Sequence, residues 1–169
     1  MATTYTLIEA KTLGSAVSSI DFTSIPQTYT DLKLVISARS STAETYAIGF
    51  NSNTSSYSGI SLRGSGSAVA SYATSAYSYG STAVGLGYIN NVTSTFTNCE
   101  IYIPNYTSSN NKSFSADNVQ EENVSDPVYA NLTAGLWSNS AAITSIQIKA
   151  QAGNLQINST FYLYGIKNS

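Results

Sequence analysis

The side chains that could do chemistry in this sequence are few, and most of them are carboxylates. Asp117, Glu121, Glu122 and Asp126 fall close together. Such a cluster suggests either a paired-carboxylate site for glycoside hydrolysis or a loop of oxygen ligands for Ca²⁺. The calcium reading fails on spacing. A loop of the EF-hand type starting at Asp117 needs Gly at its sixth position and Glu at its twelfth, where the sequence has Glu122 and Val128. The hydrolase reading needs two acids converging across a cleft, and Glu100 and Asp117 are the only acids on or near the central strands. A solvated loop accounts for the cluster, so no catalytic, cofactor-binding or metal-ligating residue is expected and the chain reads as a non-enzyme that needs no cofactor.

Nucleophiles fare no better. Cys99 is the only cysteine and the chain has no histidine. An intrachain disulfide is therefore impossible, and the base that usually activates a catalytic thiol or serine is missing. Asn98-Cys99-Glu100-Ile101 has the look of a strand, in which Cys99 is a small buried hydrophobe. Trp137, the only tryptophan, could stack on a sugar ring if exposed beside Ser138-Asn139-Ser140, with core packing as the alternative. The Asn-x-Ser/Thr sequons, such as Asn91-Val92-Thr93 and Asn131-Leu132-Thr133, follow from composition and carry no weight without a secretory signal.

A length of 169 residues suits one domain, and charged residues are only 9% of it. Ser, Thr, Asn and 13 tyrosines fill most polar positions, which implies a surface of hydroxyls and amides. A net charge of −2 with seven scattered basic residues offers no basic patch for a phosphate backbone, so nucleic acid is not an expected partner. At 42% hydrophobic the chain can bury a core, against the disorder its serine content suggests. The first residues lack the cationic and apolar regions of a secretory signal, and no apolar run approaches membrane-spanning length. The expectation is a protein made in a cytoplasm, soluble, and released by lysis.

The elements that must position these residues are strands. Period-2 alternation recurs and helical periodicity is almost absent. Strands are expected at Tyr5 to Leu13 and Val17 to Ile25, then at Asp31 to Ala38, with Leu32, Leu34, Ile36 and Ala38 on one face. Thr45 to Asn51 follows and ends in a run of turn formers. Residues 57–80 hold strands of poorly specified register. Ala83 to Ile89 carries alternate glycines, which suggest close packing under another element. Thr95 to Pro104, Lys112 to Val119, Val128 to Trp137, Ile143 to Ala150 and Asn158 to Ile166 complete the set. Counting from Leu32, eight are well defined. With no helix to cover a sheet, two sheets must cover each other. The expected fold is an all-β, two-sheet antiparallel jelly-roll sandwich over residues 31–169, with residues 1–30 as an N-terminal arm or edge strands of the same single domain. An immunoglobulin-like sandwich is the near alternative, weakened by the missing cysteine pair.

Several stretches resemble a known group. Tyr5-Thr6-Leu7-Ile8-Glu9, the run from Ser19 through Pro26 to Asp31-Leu32, Ile101-Tyr102-Ile103-Pro104-Asn105-Tyr106, Asn111-Lys112-Ser113, Gly135-Leu136-Trp137 and the ending Phe161 to Ile166 are similar to small virion structural proteins of tailed bacteriophages, cyanophages included. The resemblance implies a jelly-roll capsid decoration or cement protein on the outer surface of the particle. It also implies a homo-oligomer, often a trimer, with the major capsid protein as partner and no membrane. Tyrosine suits such contacts because its ring buries area at small entropic cost while its hydroxyl still finds a partner. Tyr72, Tyr77 and Tyr79 are the expected contact residues, because the segment around them is too polar to form a core. Residues Ala2 to Ser15 would either add a strand to a neighbour or form an ordinary edge strand. A tail-fibre, receptor- or carbohydrate-binding module is the alternative to the cement reading.

Overall fold

Alternation becomes strand wherever two facing strands are available to satisfy it. The computed structural model describes residues 4–73, 83–120 and 128–167, and these form twelve strands and no helix. They are β1 (Tyr5–Thr12), β2 (Ser19–Phe22), β3 (Asp31–Ala38), β4 (Glu44–Phe50), β5 (Tyr57–Gly64), β6 (Val69–Ala73), β7 (Val84–Ile89), β8 (Thr97–Ile103), β9 (Lys112–Gln120), β10 (Tyr129–Trp137), β11 (Ile146–Ala150) and β12 (Thr160–Ile166). An eight-stranded sheet runs β1-β12-β3-β8-β9-β10-β5-β6 and a four-stranded sheet runs β2-β11-β4-β7.

The order follows from one long folded-back chain. β5 pairs β6, β4 pairs β7, β3 pairs β8 and β2 pairs β11, all antiparallel. These four pairs are nested about the β5–β6 turn and fall alternately in the large and the small sheet. A nested hairpin rolled in this way is a jelly roll, as the patterning suggests. Four further strands widen the large sheet: the β9–β10 hairpin lies between β8 and β5, while β12 joins β3 and carries β1 at the edge. Within the poorly specified 57–80 region, the described residues, which end at Ala73, form two strands, β5 and β6.

Residues 4–30 contribute edge strands of the same sandwich, one of the two forms the sequence suggests. β2 is the outer member of a nested pair and puts Ile20 and Phe22 into the core, while β1 is an edge strand of the same sandwich. Two strands are shorter than their alternation suggests. β2 ends at Phe22, and Ile25 then bonds to the backbone of Thr144. β11 starts only at Ile146, because Asn51 takes up the preceding loop: its Oδ1 accepts the N–H groups of Thr144 and Ser145 while its Nδ2 donates to Ala142 O.

The core lies between the sheets. Leu32, Leu34 and Ile36 from β3 and Ile101 and Ile103 from β8 meet Tyr46, Ile48 and Phe50 from β4 and Ile146 and Ile148 from β11, all buried. The glycines of β7 permit the close approach read from them. Gly87, at φ +116°, sits where the β4 pairing skips a residue, and a Cβ there would lie 2.6 Å from Asn118 Nδ2 and 2.8 Å from Asn131 Nδ2.

Candidate interaction surface

The motif residues behind the resemblance turn out to be joints of the fold. Asp31, buried at the start of β3, accepts the Tyr102 hydroxyl on Oδ2 at 2.7 Å and the Asn105 N–H on Oδ1 at 2.8 Å. This ties β3 to the turn after β8. The hydrogen bond to Asp31 pushes the Tyr102 phenol up to about 12, with desolvation adding to it. Tyr106 donates to Pro26 O. Lys112, almost fully buried, donates from Nζ to Ser108 O at 2.7 Å and to Asn110 O, and desolvation lowers its pKa. Both hydrogen bonds brace the turn between β8 and β9.

The chemistry-bearing candidates are placed as follows. Cys99 is buried, and desolvation pushes its thiol up to about 12, so it stays a thiol at neutral pH. Trp137 is 1% exposed and cannot meet a ligand. This corrects its candidacy as a binding residue: Phe50 and Tyr57 pack on its ring with centroids 5.7 and 6.2 Å away, so the apolar interior claims it. Two residues before it, Gly135 leaves the space that Phe114 fills; a Cβ there would lie 2.2 Å from that ring. Tyr72 faces the interior side of β6, half-buried, with its ring 4.5 Å from the Arg63 guanidinium. Tyr129 at 4.5 Å and Tyr88 at 5.2 Å complete an aromatic enclosure around that cation. Tyr77 and Tyr79 lie outside the described residues, as do Glu121, Glu122 and Asp126. Among the described residues no group of three or more His, Cys, Asp or Glu could hold a metal ion.

Glu100 and Asp117 do come together, but on an open sheet. They are register partners across β8 and β9, both exposed, and Glu100 is ion-paired with Lys33 at 2.7 Å. A general acid needs a raised pKa from burial. Neither acid is buried here.

What remains is the outer face of the large sheet, readable as rows across the strands. One row runs Leu7, Tyr164, Lys33, Tyr102, Ser115, Ala134, Ile60, Ala73. The next runs Ala10, Tyr162, Val35, Glu100, Asp117, Leu132, Leu62, Ser71, and a third ends Asn98, Val119, Ala130, Gly64, Val69. The tyrosines, with Lys33 and Glu100, occupy the β1-β12-β3-β8 half, and most of the exposed aliphatics, with Asp117, the β9-β10-β5-β6 half. In the latter, Ile60 (55%), Leu62 (51%), Val69 (77%), Val119 (53%) and Leu132 (54%) are all more than half exposed. An open groove of about 450 Å³ runs among Leu62, Val69, Val119 and Leu132 over Gly64 and Ala130, with Asp117 also lining it. Sequence reasoning missed these five. The signal was available in β5 and β10, where the alternation sets aliphatics against Ser61, Arg63, Asn131 and Thr133.

No family model matches the chain, and no curated protein matches it. Among solved structures it is similar to the crystal structure of an exo-inulinase from Aspergillus awamori, with a TM-score of 0.52 and 15% identity. The match covers 96% of this chain and 29% of that one. At this identity the likeness concerns the fold alone, an all-β sandwich.

Proposed function

We propose that this protein works by contact rather than catalysis, as a structural protein of a tailed-phage particle that binds the assembled head as a decoration or cement subunit, in several copies. The observation that carries the reading is the open outer face of the eight-stranded sheet, lined by Tyr102, Tyr162 and Tyr164 at one end and by exposed aliphatics at the other. A protein that binds only the assembled shell stabilises that state by mass action. A sheet face with adaptable phenols and little net charge suits many copies side by side. The sequence resemblance supports the same reading.

The glycan-binding alternative would draw on the same tyrosines, and the buried Trp137 removes the indole it relied on. A hydrolase reading would rest on Glu100 and Asp117, whose exposed sheet setting lacks the enclosing cleft that chemistry uses. The likeness to an exo-inulinase reaches only the fold. The test is cosedimentation of the purified protein with phage capsids stripped of minor proteins. Saturable binding in fixed proportion to the major capsid subunit is expected, weakened by Tyr164→Ala. Absence of binding, or retention on immobilised fructan or other glycans instead, overturns the cement reading.

A further inference from the structure

β5 and β10 change character along their length: Tyr57 and Trp137 anchor one end of the pair in the core, while further along the outward positions hold the aliphatics and the inward ones the polar residues. Read one residue out of step, Ile60, Leu62, Leu132 and Ala134 would fill the core and Ser61, Arg63, Asn131 and Thr133 would be solvated. The structure instead turns the polar set inward, where Asn131 is 4% exposed and neither Nδ2 nor Oδ1 has a partner. A strand that directs its aliphatics outward gains from them only if something covers them.

We propose that the aliphatic half of this face is the interface between two copies of the chain, packed face to face about a two-fold axis that runs along the strands between β10 and β5. The inference rests on the reading of this face as a contact surface. Three observations select a second copy as the occupant. The patch has the symmetry of such an axis, with β9 and β10 on one side and β5 and β6 on the other. The axis sets Leu132 over the partner's Leu62, Val119 over the partner's Val69 and Ala134 over the partner's Ile60. The placement of charged side chains is compatible as well: Asp117 falls over the partner's Ser71 hydroxyl, which can donate to it, no carboxylate is set against a partner carboxylate, and Lys33 and Glu100 fall beyond the partner's β6 edge. Area agrees too. Five side chains at these exposures present on the order of 500 Å² of apolar surface per copy, the size of the largest patches on monomers. Two copies then bury about 1,000 Å², the lower bound for a specific interface. An interface of this kind is isologous and gives pairs, in place of the trimer implied by the resemblance.

The experiment is sedimentation equilibrium of the full chain over a wide concentration range. The mass should rise from 17.9 kDa toward twice that value. Leu132→Glu and Leu62→Lys, each at an exposed position and each checked for an unchanged urea midpoint, should weaken pairing at least tenfold. An equimolar mixture of the two variants should recover it, because the axis sets position 132 of one copy against position 62 of the other. A wild-type mass that stays at 17.9 kDa or triples overturns the inference. So do single variants that pair like wild type, or a mixture that recovers nothing. Loss of capsid binding by Leu132→Glu with no self-association in wild type assigns the patch to the shell protein and also overturns it. Pairing without capsid binding leaves the inference standing and removes the particle reading.

Discussion

The two halves of the large sheet have opposite polarity. In β3 and β8 the aliphatics Leu32, Leu34, Ile36, Ile101 and Ile103 face inward, and Lys33, Glu100 and Tyr102 face outward with partners of their own. In the middle of β5 and β10 the aliphatics face outward, while Ser61 meets Thr133 inside and the buried Asn131 amide has no hydrogen-bond partner. Both halves obey the same two-residue period. What differs is where the aliphatics fall: against the chain's own core in the first half and on the exposed face in the second.

The largest effect should separate the halves directly. Leu34→Ala opens a cavity in the β3 core and should cost about 2–5 kcal/mol, whereas Leu132→Ala on the outer face should change the stability of the isolated chain by about 0.5 kcal/mol or less. Urea unfolding of both variants at low concentration checks this, and equal losses would break the comparison. Gly135→Ala forces a methyl into the Phe114 ring and should destabilise by about 1–3 kcal/mol or more. Its retention of wild-type stability would mean the inner face of β10 is looser than drawn.

Asn131→Leu sharpens the contrast in the other direction. It removes a buried amide with no partner, whose burial costs about 1–3 kcal/mol, and should raise the melting temperature. A drop would show that the amide finds a partner in the folded chain.

The smallest effect tests the tyrosine half. Tyr102 is raised to about 12 from its ordinary 10, so its protonated form is favoured by folding. The stability it contributes is complete below pH 10 and lost as pH climbs from 10 to 12. Tyr102→Phe should flatten that part of an alkaline denaturation curve. The other raised phenols, Tyr46, Tyr57 and Tyr106, contribute with the same sign and leave a residual slope.

Much of the fold was legible because one face of most strands is buried in the chain's own core. β3, β4 and β8 sit where alternation puts them, and the nested pairing then leaves few ways to roll them up. Strand ends were less legible. Asn51 captures the loop before β11 through side-chain bonds that periodicity does not encode. Of the contact residues chosen from composition, Trp137 and Tyr72 face inward: an indole next to Phe50 and Tyr57 is worth more in a core, and the ring of Tyr72 is held against Arg63. The aliphatic patch was missed because Leu132 and Leu62 read as core residues in any strand pattern. The alternation puts them on one face, but that this face is the outer one follows from the anchoring of Tyr57 and Trp137 on the other.

The nested pairing also sets how the chain reaches this structure. The β5–β6 and β9–β10 hairpins close short loops, but β2 with β11 and β1 with β12 join residues separated by most of the sequence. Loop closure on that scale comes before its contacts can reward it, so refolding should be slow, on the order of milliseconds to seconds. The hairpins would zip first and the outer pairs last. During that interval Leu62 and Leu132 are already displayed on paired strands, so two half-formed chains could meet through them before either has closed its sandwich.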